Sequence, residues 1–229
     1  MAATPVVFIP ALLCDEALYQ GVISHLGTTI EAHVMTSPLP VLADSVADIL
    51  ARAPATFALV GTSYGGNLAL EIALTAPGRV TALWLMGCDP AAPATGGPDL
   101  AGSLKSTPDA VIGMLAGLVV HKDATAARET FVAMAHRVGG TVGAAQATAL
   151  GTRPEATSRF DKLTMPVLAV WGDSDPLVAP SIGRDMARAM PHAHFHVLPN
   201  CGHLPTLEYP AETAALFTEF VQGEAGHHH

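Results

Sequence analysis

Three short strings in this chain carry residues whose types and order could do chemistry. They are GTSYGG (61–66), WGDSDPLV (171–178) and NCGHLP (200–205). A serine hydroxyl is a poor nucleophile at neutral pH. It needs a base to take its proton, and the base needs a carboxylate to fix its tautomer and stabilise the imidazolium. Ser63, then Asp173 or Asp175, then His203 supply those groups in the order serine, acid, histidine. A G-x-S-x-G string is weak evidence alone, and its setting adds the weight. The apolar run TFALVG (56–61) leads into it, and the helical pattern NLALEIALTA (67–76) leads out. A sharp strand-to-helix turn crowds the residues two before and two after its centre, where Gly61 and Gly65 stand, and Gly66 lets the helix pack closely on the sheet. Such a turn lifts the Ser63 hydroxyl above the sheet and aims a helix N-terminus at it. The rival reading, a phosphate-binding loop, lacks the P-loop lysine and the G-x-G-x-x-G spacing.

The stretch HAHFHVLPNCGHLP (192–205) holds His192, His194, His196 and His203. The first three alternate as a strand would present them and could in principle hold a metal. No Asp, Glu or Cys lies at ligand spacing within that strand, so a half-exposed edge strand is the simpler reading and no metal is expected. His121 and His136 read as surface residues, and His25 and His33 attract no hypothesis. Among the acids, position leaves Asp173 and Asp175 both open. A tetrahedral oxyanion needs two backbone N–H donors, and the amide of Tyr64, next to the nucleophile, is one.

The elements that must position these groups follow an alternating rhythm. VVFIP (6–10), TIEAHVMT (29–36), TFALVG (56–61) and RVTALWLMG (79–87) read as strands. Between them DEALYQGVISHL (15–26), ADSVADILARA (43–53) and NLALEIALTA (67–76) read as helices, the last stopped by Pro77-Gly78. Runs apolar on both faces and separated by helices predict a parallel sheet covered on both sides. DPAAPATGGPD (89–99) breaks the rhythm, and from about 100 to 160 only helical patterns follow: DAVIGMLAGLVVH, TAARETFVAMAHRV and TVGAAQATALG. Strands return in MPVLAVWG (165–172) and HFHVLP (194–199), with helices near SIGRDMARAM (181–190) and AETAALFTEFVQ (211–222). The sum is a six-stranded α/β core with a helical insertion after the fourth strand. The expected partners of Ser63 therefore fall on loops at the C-terminal ends of later strands, its own end of the sheet.

Composition narrows the function classes. Half of the 229 residues are hydrophobic and 14% are charged, the profile of a globular protein with a substantial core. Acidic residues outnumber basic ones 20 to 11, giving a formal charge of −9 and no basic patch, which argues against a nucleic-acid partner. No run of about 20 apolar residues occurs, so no membrane span is expected. MAATPVVFIP lacks a basic n-region, which predicts no signal peptide. Cys14, Cys88 and Cys201 are scattered and odd in number, as expected of free thiols in a reducing compartment, here the cytoplasm. They could be proposed as a redox switch, but small apolar residues lining packed loops are the plainer reading. Residues 225–229, ending in His227 to His229, look like a tag remnant and carry no functional reading.

Taken together, FIPALLCDEALY, GTSYGGNLALEIA, MPVLAVWGDSDPLVAP and PNCGHLPTLEYP resemble the α/β-hydrolase superfamily, of the small serine esterase type with a helical cap. The resemblance covers nearly the whole chain. It implies a mostly parallel six-stranded sheet formed by 1–89 and 161–224, with 90–160 as a cap. It implies Asp175 as the acid, with Asp89 after the fourth strand as the runner-up because some family members place the carboxylate there, His203 as the base and the Leu12 amide as the second oxyanion donor. Ala11 departs from the pattern, standing where glycine is common. Serine at the turn excludes the carboxylate nucleophile of dehalogenases of this fold.

The reading that follows is cleavage of carboxylic esters through an acyl-enzyme, with a small-molecule ester and water as partners and no cofactor. The insertion is rich in Ala, Gly, Val, Leu and Met, which suits a small-to-medium apolar acyl or alkyl group. Met114, Leu118, Phe131 and Met134 are its candidate pocket residues. The same groups would serve lactone, thioester or C–C bond hydrolysis or acyl transfer, and a non-catalytic binding protein that kept the pocket is a further alternative.

Overall fold

The structure, a computed structural model, describes residues 2–226. His227 to His229 lie outside the described residues. Strands β1 (Thr4–Ile9), β2 (Ile30–Val34), β3 (Phe57–Thr62), β4 (Val80–Met86), β5 (Val167–Gly172) and β6 (Ala193–Leu198) form one sheet in the order β2-β1-β3-β4-β5-β6. Every neighbouring pair is parallel, so the sheet is parallel throughout, where a mostly parallel one was expected.

Alternate side chains of the central strands enter two separate cores. Val6, Phe8, Val60, Trp84 and Val170 face the side covered by α1 (Gln20–Leu26) and α10 (Pro210–Gly226). Trp84 stacks there on Phe217 of α10, with ring centroids 5.1 Å apart. Val7, Ile9, Leu59, Leu85 and Trp171 face α2 (Leu42–Arg52), α3 (Tyr64–Thr75) and α8 (Pro180–Ala189). β3, β4 and β5 read as continuous apolar runs for this reason. The outer strands differ. β2 is half-exposed and pairs His33 Nε2 with Glu31 Oε1 at 2.6 Å, and β6 turns His194 and His196 to solvent. Charged or titratable side chains on an edge discourage pairing with another chain, which accounts for the alternating histidines.

Between β4 and β5 the chain forms four helices: α4 (Leu100–Ser106), α5 (Pro108–Ala116), α6 (Thr125–Val138) and α7 (Gly140–Leu150). The sequence pattern did not separate α4, a two-turn helix capped by Asp99, whose Oδ1 accepts the Gly102 N–H at 2.9 Å. α5 stops at Ala116, well before His121, because Gly117 ends it and the His121 N–H is taken by a side chain from elsewhere, Glu208. Glu208 closes a further short helix, α9 (Pro205–Glu208), that the pattern also missed. No helix among the described residues is long and apolar enough to cross a membrane.

The chain runs from β1 to β2 on one side and then crosses from β2 past β1 to β3 on the other, so the sheet order reverses at the C-terminal ends of β1 and β3, where crevices form in such sheets. Those two ends are tied by Tyr19. Its hydroxyl donates to the Ile9 carbonyl at 2.7 Å and accepts from Thr62 Oγ1 at 2.8 Å. Above the tie, the turn after β3 presses on the chain after β1. A Cβ on Gly65 would lie inside the contact distance of the Ile9 and Pro10 carbonyl oxygens, and one on Gly61 would strike the Gly65 carbonyl. Backbone cannot retreat there as a flexible side chain could. Gly65→Ala is therefore expected to destabilise the protein by about 3 kcal/mol, read as a lowered denaturation midpoint, and an unchanged midpoint would contradict this packing.

Candidate active site

Ser63 ends β3 and caps α3 with φ 58° and ψ −121°, a backbone conformation L-residues seldom adopt. Its N–H donates to the Met86 carbonyl at 2.8 Å, extending the β3–β4 ladder by one bond, and its carbonyl accepts the Asn67 N–H at 2.9 Å, opening α3. The turn is held from both sides, which is how a strained residue persists.

The loop after β5 supplies Asp175, and the loop after β6 supplies His203. His203 Nδ1 lies 2.7 Å from Asp175 Oδ2, and both side chains are almost wholly buried. Asp175 Oδ1 accepts the N–H groups of Leu177 and Val178 at 2.9 and 3.0 Å. The Asp175 carboxylate thus accepts two backbone N–H groups through one oxygen and faces the His203 ring through the other. The other two acids do different work. Asp173 Oδ1 accepts from Ser174 Oγ at 2.8 Å and from the Cys201 N–H at 3.3 Å, and the Ser174 hydrogen bond leads in holding its carboxyl below the usual range. Asp89 Oδ1 accepts the Ala91 N–H at 2.9 Å, closing its own turn. The His203 ring rests on Gly87, where a Cβ would come within 2.9 Å of Cε1. Gly87 was read only as the end of a strand, because its contact partner is more than a hundred residues away.

Ser63 and His203 line one cavity of about 160 Å³. Its remaining walls are Ala11, Leu12, Cys14 and Leu204 from the core loops, Leu177 beside Asp175, and Leu100, Leu115, Val119, Phe131 and Leu150 from the 100–150 region. No charged side chain other than His203, if protonated, lines it. A larger groove of about 720 Å³ lies at the opposite ends of the strands, among Val6, Ala58, Ala82 and Phe217, far from any of these groups. Of the pocket residues expected from sequence, Phe131 lines the cavity. Met114 is 54% exposed, Met134 is fully buried away from it, and Leu118 does not line it. Leu115 and Val119, each one position further on, do. A helical pattern places a face to within a residue, and here the exposed and inward positions were exchanged.

Leu12 and Tyr64 are the expected oxyanion donors. Tyr64 is the first residue of α3, where an N–H has no intrahelical partner. Leu12 sits in the turn closed by the Cys14 N–H to the Ala11 carbonyl at 3.0 Å. Leu13, at φ 63°, takes the left-handed conformation in this turn, and Ala11 does not.

A model of the alpha/beta hydrolase family matches residues 16–216. The chain belongs to that family. A relative from Paraburkholderia phymatum, a 2-hydroxy-6-oxononadienedioate/2-hydroxy-6-oxononatrienedioate hydrolase, is 28% identical over 186 residues. The match covers 71% of this chain and 61% of the relative, so the chain spans less than two thirds of that protein. A pimeloyl-acyl-carrier protein methyl ester esterase from Aliivibrio salmonicida is 27% identical over 203 residues, 79% of this chain and 74% of that one. Among solved structures, a thermophilic esterase from Thermogutta terrifontis superposes with a TM-score of 0.83 at 18% identity, covering 97% of this chain and 90% of its own, which shows a shared fold.

One side chain of this alpha/beta hydrolase that sequence reading passed over holds the histidine loop. Glu208 Oε1 accepts the N–H groups of His121 at 2.7 Å and Gly202 at 2.9 Å, and Oε2 accepts that of Leu204 at 3.2 Å. Gly202 and Leu204 flank His203, whose own N–H donates to the Val119 carbonyl at 3.0 Å. Burial pushes the Glu208 carboxyl upward against the opposing pull of these donors. The interval of five residues from His203 gives no sequence sign of this, since the acceptor works by folding back through α9. Glu208→Gln would set an NH2 group against donors that need acceptors, at a cost of about 1–3 kcal/mol. A fall in melting temperature of about 2–4 °C per kcal/mol should follow for a chain of this length; a melting curve identical to the wild type would refute the clamp.

The three cysteines are buried and unpaired. Burial pushes the Cys88 thiol up to about 12 and those of Cys14 and Cys201 higher, so all three are neutral thiols at physiological pH and poor nucleophiles. A thiol-reactive dye at pH 8 should therefore label none of the three in the folded protein and all of them in denaturant; rapid labelling of folded protein would reopen a redox role.

Proposed function

We propose that this chain hydrolyses small, neutral carboxylic esters through Ser63, with His203 as base and Asp175 as the carboxylate that orients it. The observation that carries the reading is the buried 2.7 Å contact of His203 Nδ1 with Asp175 Oδ2 beside a cavity that Ser63 and His203 share. His203 Nε2 takes the Ser63 proton as Oγ bonds to the ester carbonyl carbon. The carbonyl oxygen becomes an oxyanion facing the Leu12 and Tyr64 N–H groups and the N-terminus of α3. His203 then protonates the departing alkoxide, leaving an acyl group on Ser63. Water, deprotonated by His203, attacks that acyl carbon, and the acid leaves as Ser63 regains its proton.

Size and polarity support the choice of substrate. A cavity of about 160 Å³ is well below the ~300 Å³ at which pockets for drug-sized ligands begin. Its walls carry no Lys or Arg, so a doubly charged acid such as the dioate of the Paraburkholderia relative would meet no counter-charge there. In this reading residues 90–160 act as the cap, which lends Leu100, Leu115, Val119, Phe131 and Leu150 to the cavity. Unpaired Cys14, Cys88 and Cys201 support a reducing compartment, the cytoplasm.

A fluorophosphonate should add once to the wild-type protein and not to Ser63→Ala, as read from intact mass. The same variant should lose about 1000-fold or more in kcat on p-nitrophenyl acetate. Acetate and butyrate esters should exceed the octanoate in kcat/KM by about tenfold. Equal labelling of both proteins would remove Ser63 as nucleophile, and a preference for octanoate would remove the small-substrate reading.

A further inference from the structure

The loop that carries Leu12 is held by the helical insertion, through one helix face. Gln146, on α7, is a glutamine only 3% exposed, and its Oε1 accepts the Leu13 N–H at 2.9 Å across 133 residues of chain. One turn earlier on the same face stands Gly143, where a Cβ would come within 2.6 Å of Leu13 Cδ2. The fully buried Leu13 side chain thus sits in a notch that only glycine leaves open, while the Leu13 amide is bonded to the glutamine beside it. Leu13 is also the residue at φ 63°, an unfavourable conformation for a leucine, so something outside the loop must hold it there. The turn hydrogen bond from Cys14 to Ala11 spans Leu12 and Leu13 but does not fix the orientation of the peptide between them. Gln146 and Gly143 do.

We propose that Gln146 is a positioning residue for the hydrolytic step. By fixing the Leu13 amide it sets the tilt of the preceding residue, so that the Leu12 N–H points into the cavity beside Ser63. This rests on the reading of Ser63 as nucleophile and Leu12 as oxyanion donor given above. It also recasts the departure at Ala11. With alanine in place of a permissive glycine, the left-handed residue is Leu13, and the insertion supplies the restraint.

The test is kinetic and uses the full chain. Gln146→Leu keeps the approximate volume and removes the acceptor, whereas Gln146→Glu keeps an acceptor oxygen in either protonation state. Loss of a whole oxyanion donor costs about 10²–10³ in kcat, so a mis-aimed one should cost about 10- to 100-fold. Gln146→Leu is expected to lower kcat on p-nitrophenyl butyrate, and the rate of phosphonylation of Ser63, by that factor with KM within about twofold. Gln146→Glu should recover most of it. Amide hydrogen exchange at Leu13 should be slow in the wild type and fast in Gln146→Leu, which separates a loosened loop from a globally unfolded variant. A Gln146→Leu protein with wild-type kcat, or with raised KM and unchanged kcat, overturns the proposal, as does a Gln146→Glu protein as slow as the leucine variant. Wild-type protein that forms no Ser63 adduct would instead bring down the hydrolase reading, and this one with it.

Discussion

Everything at the site depends on one close approach, that of the turn around Ser63 to the end of β1. Ser63 holds φ 58° because Gly61 and Gly65 let the chain double back against the Ile9 and Pro10 carbonyls without a Cβ between them. That contact places the start of α3 beside the loop that follows β1, so that Ser63 and Leu12 line one cavity. Tyr19 locks the same two strand ends from beneath with two buried hydrogen bonds. A sheet whose order reverses between β1 and β3 has a crevice there in any case. The glycines convert the crevice into a seat for a serine.

The second dependence runs from the insertion to both loops that carry chemistry. α7 grips the loop after β1 through Gln146 and the Gly143 notch, and the segment after α5 grips the histidine loop through Val119 and the His121 N–H. Each grip uses a buried acceptor for an N–H that helix or sheet leaves unpaired, and burying such a donor without a partner is costly. An insertion wired in this way is part of the cavity wall, through Leu100, Leu115, Val119, Phe131 and Leu150.

The chemistry follows from what the cavity contains and what it omits. Asp175 accepts the Leu177 and Val178 N–H groups through Oδ1 and faces the His203 ring through Oδ2, a setting that suits the orienting role proposed for it. The walls are alkyl and aromatic apart from the Cys14 thiol, which burial keeps neutral. In the proposed ester cleavage, negative charge would form at the oxyanion, facing backbone dipoles in a low-dielectric setting, and positive charge on the His203 ring beside Asp175.

The sequence by itself determined the class of fold and singled out the groups proposed here to react. Period-two and period-3.6 patterns are local, and so is the glycine spacing that Ser63 requires, which is why β3, the turn and α3 were legible as one unit. His203 was legible through its place after the last strand, whereas the three alternating histidines of the edge strand carried no such context. Choice among Asp89, Asp173 and Asp175 was different. All three follow strands at the same end of the sheet, and only the path of the folded loops brings Asp175 Oδ2 to His203 while turning Asp173 to the Ser174 hydroxyl and the Cys201 N–H and Asp89 to the Ala91 N–H. Phe131 lines the cavity as expected, but Leu115 and Val119 line it in place of Met114 and Leu118, because which side of this segment faces inward is set by its neighbours. Gln146, Glu208, Gly87 and Gly143 left no trace in any window of sequence. Each acts on a group supplied by another segment, and a hydrogen bond or a notch that spans the fold exists only once tertiary structure has brought its two halves together.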